Sequence, residues 1–216
     1  AFAKRLGMVD QPGGRRIHEK PTPRGGGLAI VLTFHVAYGL IVLFGWDDYL
    51  FHLDLTFWKA LLQATGIMVL IGFMDDKFGL SAWLKLAGQI AAATILYAYG
   101  YSVDSLLGSE LPLALSYLLT MGWFVVLTNA FNLIDGLDGL ASGLAGIAAI
   151  GLAGTALLRR FSGDALPFLA LAGACLGFLR YNFYPASVFL GDCGSYFLGF
   201  SLAAMSMVSS TTTTLV

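Results

Sequence analysis

Apolar stretches of near-spanning length recur along the whole chain and are separated only by short polar segments. Because about 20 apolar residues in a helix cross a bilayer core, this pattern restricts the fold to a bundle of membrane-spanning helices. Composition agrees, since 57% of the residues are hydrophobic and 12% are charged, whereas soluble domains carry about 25% charged residues. The predicted spans are 26–46, 57–74, 83–101, 111–129, 139–158, 165–183 and 194–216.

The sequence therefore predicts an all-α, polytopic transmembrane helix bundle. We expect one integral membrane domain over residues 1–216, opening with a basic segment, residues 1–25, on the cytoplasmic side. His35 falls in the middle of a span, where a hydrogen-bonded packing residue is expected. Two small-residue spacings within the spans predict close helix packing. They are Gly139-xxx-Gly143 and Gly173-xxx-Gly177.

Lysine and arginine predict the orientation. With seven spans, the N-terminal segment and the segments 75–85, 130–138 and 184–193 share one side of the membrane. This side carries nine lysine and arginine residues and the other side carries three, so the first side is predicted to be cytoplasmic. The pair Arg159-Arg160 is the exception to this bias. The nine are Lys4, Arg5, Arg15, Arg16, Lys20, Arg24, Lys77, Lys85 and Arg180.

Between the fourth and fifth spans, four polar side chains recur at every third position. On a helix-like backbone such a spacing forms one slowly drifting stripe of two carboxamides and two carboxylates. Neighbouring glycines allow a ligand or another backbone to approach closely. The alternative is a solvated turn that links two helices. The four residues are Asn129, Asn132, Asp135 and Asp138.

Adjacent carboxylates, Asp75 and Asp76, stand where the second span ends. A helix C-terminus carries the negative pole of the helix dipole, so two acids there require a positive partner. Lys77 is one candidate, and a divalent metal, which suits paired carboxylates, is the other. Lys85, one turn into the next helix, is placed either to extend to the membrane interface or to contact a phosphate.

The first and last segments on this side also carry chemistry. Lys20 and Arg24 flank two prolines and lead into three glycines, an arrangement that brings N–H groups and cations close to a phosphate. Asp192 precedes the seventh span, as a helix N-cap or as a metal ligand beside a phosphate site. Phe189 offers a face for stacking a base, although aromatic residues are also common interfacial anchors.

Carboxylates on three segments of one side, with lysines nearby, favour phosphate chemistry. Mg²⁺ bridges carboxylates and a diphosphate, and lysines neutralise charge in the transition state. A membrane enzyme with its site at the cytoplasmic face suggests one soluble phosphorylated substrate and one lipid.

Four motifs, taken in order, resemble those of the polyprenyl-phosphate N-acetylhexosamine-1-phosphate transferases of glycosyltransferase family 4. This superfamily includes undecaprenyl-phosphate N-acetylglucosamine-1-phosphate transferase and phospho-N-acetylmuramoyl-pentapeptide translocase, which start O-antigen, teichoic acid and lipid I synthesis. The motifs are Pro21-Thr22-Pro23-Arg24-Gly25-Gly26-Gly27, Asp75-Asp76, Asn129-xx-Asn132-xx-Asp135-Gly136-Leu137-Asp138-Gly139 and Asn182-xx-Pro185-Ala186-xx-Phe189-xx-Asp192-xx-Ser195.

This resemblance implies transfer of a sugar 1-phosphate, expected to be an N-acetylhexosamine 1-phosphate, from a UDP-sugar to undecaprenyl phosphate. UMP is released, and Mg²⁺, or Mn²⁺ in its place, is required. Such a transfer is the first membrane step in the synthesis of a cell-envelope polysaccharide.

The resemblance also implies roles for individual residues. Asp75 matches the residue proposed to deprotonate the lipid phosphate, Asp192 matches the Mg²⁺ ligand, and Asp76 supports both. The implied metal ligands are Asp75, Asp76 and Asp192. The implied catalytic residues are Asp75, Asp76, Asp192, Asn132, Asp135 and Lys85. The implied uridine and nucleotide contacts are Lys20, Gly136, Leu137, Asp138, Asn182 and Phe189.

Complete members of the family have about ten spans, and this chain resembles the second to the eighth. We therefore expect a fragment that lacks the first helix and a late cytoplasmic loop with a His-x-His-type motif. The entry Arg24-Gly25-Gly26-Gly27 stands where the muramoyl-pentapeptide enzyme commonly has Thr-Met-Gly-Gly. This difference favours the aminosugar-phosphate branch.

The sequence is also compatible with two other classes of protein. An ion-coupled transporter would hold its acids near the bilayer midplane, whereas these acids lie at span ends. A catalytically inactive, truncated homologue is the second alternative. The expected location is the bacterial inner membrane, with the site facing the cytoplasm. The expected partners are a UDP-sugar, undecaprenyl phosphate and the bilayer, with a homodimer as an assembly and no nucleic acid.

Loop parity and the charge bias together predict which positions can be labelled from each side. Single cysteines at Gly13, Gly79 and Ser187 should react with an impermeant thiol reagent only from the cytoplasmic side, and one at Asp54 only from outside. Labelling of Ser187→Cys from outside would place the motif segments on opposite sides and contradict a single site.

Overall fold

A computed structural model shows that the protein is a bundle of helices. The structure describes residues 9–10, 21–44, 55–158 and 162–211. Each helix in this part of the chain corresponds to one predicted span, which confirms the all-α bundle. The helices are α1 (Gly27–Leu43), α2 (Leu55–Phe78), α3 (Ala82–Ala98), α4 (Leu113–Ile134), α5 (Leu140–Leu158), α6 (Ser162–Asn182) and α7 (Gly191–Thr211).

Four helical segments in the described part are long and apolar enough to cross a membrane: α2, α4, α5 and residues Ala165–Asn182 of α6. Helices α1 and α3 are apolar but shorter. Two small antiparallel pairs, which the sequence did not predict, complete the fold. They are β1 (Val9–Asp10) with β2 (Thr22–Pro23), and β3 (Ser105–Leu106) with β4 (Ser109–Glu110).

Two helices continue past the ends predicted from hydropathy. Helix α2 ends at Phe78 instead of residue 74, and α4 ends at Ile134 instead of residue 129. At the end of α2, Gly79 adopts a positive φ of 68° and its N–H bonds the Asp75 carbonyl at 2.9 Å, a common way to end a helix. The polar residues at these ends, including Asp75 and Asn132, therefore stand on helices and not in loops.

Helix α7 lies at the centre of the bundle and packs against α1, α2, α4 and α5. Its aromatic side chains Tyr196, Phe197 and Phe200 are fully buried, and the Phe200 ring stacks on Phe124 of α4 at 4.6 Å between centroids. Because α7 is enclosed by protein, it tolerates more polar residues than a helix that faces lipid.

Glycines let neighbouring backbones approach α7 closely. A Cβ on Gly27 would collide with the backbone of Gly194, and a Cβ on Gly72 would lie 2.5 Å from the Cα of Cys193. Farther along α7, a Cβ on Gly199 would lie 2.8 Å from the Cα of Thr128. The glycines at the start of α1 therefore allow close backbone packing. This packing explains their presence without the phosphate contact that the sequence suggested.

The two predicted small-residue spacings have different outcomes. Gly139 and Gly143 lie against Leu179 of α6, as expected for close packing. The described residues give no support for close packing at Gly173 and Gly177, because no described atom lies within 4 Å of a Cβ built at either position. These two glycines are on the side of α6 away from its described neighbours.

His35 is a hydrogen-bonded packing residue, as predicted. Its Nδ1 contacts the Val31 carbonyl at 2.9 Å, and its Nε2 contacts the Thr65 hydroxyl of α2 at 3.3 Å. The ring also packs against Phe34 and Phe197.

Two glycines in α2 give a matched test of this packing. Gly72→Ala should destabilise the protein by about 1–3 kcal/mol, because the added methyl group meets the α7 backbone. Gly66→Ala, where no atom of the described residues lies within 4 Å of the added Cβ, should be neutral or stabilising by about 0.5–1 kcal/mol, since alanine is the better helix former. Thermal unfolding in detergent measures both. Equal melting temperatures for the two variants would contradict the close approach of α2 and α7.

Candidate active site

One end of the bundle collects the polar segments that the sequence placed on a single side. Here the C-terminal ends of α2 and α4 meet the N-terminal ends of α3 and α7. The entry to α1 joins them, since Phe189 N–H donates to the Pro23 carbonyl at 2.9 Å and Gly26 N–H donates to the Phe189 carbonyl at 3.0 Å. The prediction that these segments come together is confirmed for the described residues.

Asp75, in the last turn of α2, is buried and held by three donors. Lys85 Nζ lies 2.9 Å from its Oδ2, and the Tyr196 hydroxyl donates to the same oxygen at 3.0 Å. The Leu80 N–H donates to Oδ1 at 2.8 Å. Lys85, and not Lys77, is thus the cation that compensates Asp75. Lys77 instead lies 5.1 Å from the centroid of the Phe78 ring.

Asp76 binds the N-terminus of α7. Its Oδ1 accepts the N–H of Asp192 at 3.0 Å, and its Oδ2 accepts the N–H of Cys193 at 3.1 Å. A carboxylate is favoured there because the first N–H groups of a helix have no partners within the helix. Gly191 makes room with a φ of 78°, and a Cβ on it would lie 2.8 Å from Asp76 Oδ2. The anion corner predicted at this helix start is occupied by the protein's own Asp76.

Asp192, in the first turn of α7, faces α4 and α2. Asn132 Nδ2 donates to its Oδ1 at 2.7 Å and to the Ser195 hydroxyl at 3.1 Å. The carboxyl groups of Asp192 and Asp75 are within hydrogen-bonding reach of each other. Two ionised carboxylates tolerate such a contact only with a proton or a cation between them.

Asp135, the C-cap of α4, completes the acidic group. Loss of surrounding water raises the pKa of this carboxyl to about 8, and the negative charges of Asp192 and Asp76 act in the same direction. The N–H of Gly191 and the charge of Arg24 oppose the rise. Within the described residues, no lysine or arginine forms an ion pair with Asp135 or Asp192. Burial and the neighbouring charges therefore favour the protonated form of Asp135, and its ionised form would be stabilised by a nearby cation.

The predicted polar stripe divides between several partners. Asn129 leaves the acidic group and exchanges hydrogen bonds with the buried Gln89 of α3, at 2.8 Å and 3.5 Å. Asn132 and Asp135 stay with Asp192. Asp138 turns to the α6–α7 loop, where its Oδ2 accepts the Ala186 N–H at 2.9 Å.

The predicted nucleotide contacts are not all equally accessible. Gly136 and Leu137 are exposed, and Phe189 is half-buried. Asn182 is buried under the α6–α7 loop, where it accepts from the Ser142 hydroxyl at 2.8 Å and donates to the Val188 carbonyl at 3.1 Å. Its amide therefore shapes the loop. Lys20 lies outside the described residues.

The glycosyl transferase family 4 model matches residues 58–210, which include all of these acids. The chain belongs to glycosyl transferase family 4.

Relatives of this family 4 chain cover almost all of it. It is 38% identical to the probable undecaprenyl-phosphate N-acetylglucosaminyl 1-phosphate transferase of Bacillus subtilis strain 168, over 96% of this chain and 57% of that protein. It is 40% identical to the decaprenyl-phosphate N-acetylglucosaminephosphotransferase of Mycobacterium tuberculosis H37Rv, over 97% and 55%. It is 34% identical to the phospho-N-acetylmuramoyl-pentapeptide-transferase of Lactobacillus gasseri, over 94% and 67%. The chain thus spans a little over half the length of the first two.

The predicted metal ligands Asp75, Asp76 and Asp192 differ in how far their oxygens are already engaged by hydrogen bonds. Within the described residues, no three side chains of histidine, cysteine, aspartate or glutamate are arranged to hold a metal ion. Asp76 is engaged by the α7 backbone, and both oxygens of Asp75 accept hydrogen bonds. Asp192 and Asp135 remain. Two carboxylates suit Mg²⁺, which usually keeps several waters and completes its shell with substrate phosphates.

The sequence did not predict two residues that contact this site, Tyr196 and Gln89. Tyr196 was missed because it is an aromatic residue in an apolar stretch, although it lies four residues after Asp192 and hence on the same face of α7. Gln89 was missed because a single amide in a span gives no signal of its partner. Both contacts join segments far apart in the sequence.

The role of Asp76 can be separated from metal binding. Asp76→Ala should cost about 0.5–2 kcal/mol of stability, the usual effect of losing a helix N-cap, and should do so with or without Mg²⁺. Lys77→Ala, the adjacent residue on α2, should leave stability unchanged because its described contact is with an exposed ring. Thermal unfolding distinguishes the two. The opposite result would be equal melting temperatures for the wild type and Asp76→Ala without Mg²⁺, and stabilisation by Mg²⁺ of the wild type alone. That result would show that Asp76 is a metal ligand.

Proposed function

We propose that this chain takes part in the transfer of N-acetylglucosamine 1-phosphate from UDP-N-acetylglucosamine to polyprenyl phosphate, with release of UMP. The observation that carries the proposal is the meeting of Asp75, Asp135 and Asp192, from three segments, at one end of a membrane bundle. A soluble nucleotide sugar and the phosphate of a membrane lipid both have access to such a position.

The names of the relatives support the choice of sugar. The Bacillus and Mycobacterium relatives, at 38% and 40% identity, are both named for N-acetylglucosamine phosphate transfer. The muramoyl-pentapeptide transferase is 34% identical. This order agrees with the glycine-rich entry of the chain, which favours the aminosugar-phosphate branch.

The proposed reaction forms one phosphorus–oxygen bond and breaks another. An oxygen of the lipid phosphate bonds to the phosphorus that carries the sugar, and the bond from that phosphorus to the UMP oxygen breaks. Asp75 accepts the proton of the lipid phosphate, and Lys85 holds its carboxylate in place. Asn132 orients Asp192. Mg²⁺, when bound by Asp192 and Asp135, supplies neutralisation of the diphosphate charge.

The nucleotide end of the substrate is assigned to the rim of this site. We place the uracil against Phe189, whose backbone is fixed by Pro23 and Gly26, beside the exposed Gly136 and Leu137. Asp138 and Asn182 support this position indirectly, because each anchors the α6–α7 loop by a hydrogen bond to its backbone. Lysine and arginine bias supports a cytoplasmic orientation of this end in a bacterial inner membrane.

A transporter is the weaker explanation of these acids. Asp75 is in the last turn of α2, Asp192 is in the first turn of α7, and Asp135 follows α4. A site for coupling ions is expected near the bilayer midplane, between discontinuous helices. The described acids lie at helix ends.

UMP release tests the proposed function directly. The protein, supplied with UDP-N-acetylglucosamine and polyprenyl phosphate, should release UMP only when Mg²⁺ is present. Asp192→Asn should raise the Mg²⁺ concentration for half-maximal rate by about 10- to 100-fold, a range typical of residues that tune a bound metal. Asp75→Asn should lower kcat with little change in UDP-sugar binding.

Asp104→Asn is the matched control, since this acid accepts hydrogen bonds from Ser102 and Ser116 at the opposite end of the bundle. It should keep the wild-type rate and Mg²⁺ dependence. Absence of UMP release from the wild type would refute the proposed function. A normal Mg²⁺ requirement in Asp192→Asn would refute the assignment of Asp192 as a metal ligand.

A further inference from the structure

Tyr196 is a buried tyrosine whose hydroxyl reaches the acidic group. It is 1% exposed, and its hydroxyl donates to Asp75 Oδ2 at 3.0 Å. It follows Asp192 by four residues on α7, so both side chains project from one face of that helix. The helix that carries Asp192 therefore also supplies a donor that fixes the position of Asp75.

The two oxygens of Asp75 are not equivalent. Oδ2 accepts from both Tyr196 and Lys85, at 3.0 Å and 2.9 Å. Because a carboxylate oxygen has two lone pairs in its plane, two donors fill Oδ2. Oδ1 accepts from the Leu80 N–H at 2.8 Å and keeps one lone pair. Oδ1 is therefore the oxygen of Asp75 that is open to a further contact, and the Asp192 carboxyl is within hydrogen-bonding reach of Asp75.

We propose that Tyr196 is a positioning residue that, together with Lys85, fills Oδ2 of Asp75 and leaves Oδ1 as the reactive oxygen at a fixed separation from Asp192. This inference rests on the proposed function for its catalytic consequence. The hydroxyl contact itself does not depend on that function.

The hydroxyl can be separated from the ring. The ring of Tyr196 fills space at the centre of the bundle, a task that phenylalanine performs equally well. Tyr196→Phe therefore removes one donor and leaves the packing intact. Tyr117→Phe is the matched control, because the Tyr117 hydroxyl also bonds a partner, Thr94 at 2.9 Å, but between α3 and α4 away from the acids.

Kinetics should show a split between turnover and binding. Tyr196→Phe should lower kcat for UMP release by about 10- to 100-fold, the usual range when a group that orients a reacting residue is lost. KM for UDP-N-acetylglucosamine should stay unchanged, since Tyr196 is buried behind Asp75. Tyr117→Phe should keep the wild-type kcat. A wild-type kcat in Tyr196→Phe would overturn the positioning role.

A stability cycle decides the contact without any activity. With Asp75 present, Tyr196→Phe should lower the melting temperature because it removes a hydrogen bond to a carboxylate. In an Asp75→Ala background the same change should be neutral or stabilising, because the hydroxyl there is buried without its acceptor. An equal loss in both backgrounds would overturn the proposal.

Asp75→Leu, which has a similar shape and no acceptor, replaces Asp75→Ala if the alanine variant does not fold, with the same criterion. A wild-type protein that released no UMP would refute the proposed function, whereas the stability cycle would still decide whether Tyr196 holds Asp75.

Discussion

The hydrogen bonds from the N-terminus of α7 to Asp76 organise this end of the molecule. Free N–H groups at a helix start are costly in an apolar bundle where water cannot satisfy them, and Asp76 accepts two of them. The contact fixes where α7 begins and hence where Asp192 and Tyr196 project. Close backbone packing at Gly72 and Gly27 becomes possible only with α7 in this position.

The four acids fall into two pairs by how their charge is compensated. Asp75 is compensated by Lys85 and Tyr196, and Asp76 by a helix terminus. For Asp135 and Asp192 the described residues offer only hydrogen bonds and the more distant charge of Arg24. The protein thus compensates the two acids that shape this end of the bundle, whereas Asp135 and Asp192 have no ion-pair partner among the described residues.

Hydropathy predicted the seven helices of the described part of the chain, and loop parity predicted that the polar segments share one end, because both depend on local composition. The role of Asp76 could not be predicted, since its partners are 116 and 117 residues away. Asn182 resembled a nucleotide ligand in its motif but is buried under a loop, and Lys77 was a nearer cation to Asp75 in sequence than Lys85. A motif identifies which residues belong to a site but does not say which of them contact the ligand.

The backbone contacts of α7 also bear on which positions can change over evolutionary time. Substitutions at Gly27, Gly72 or Gly199 would displace the central helix, so variation there is strongly constrained. The exposed side chains of Leu137 and of Tyr184, in the α6–α7 loop, have no such restriction. Exposed residues at this end can therefore be exchanged while the acidic group keeps its geometry.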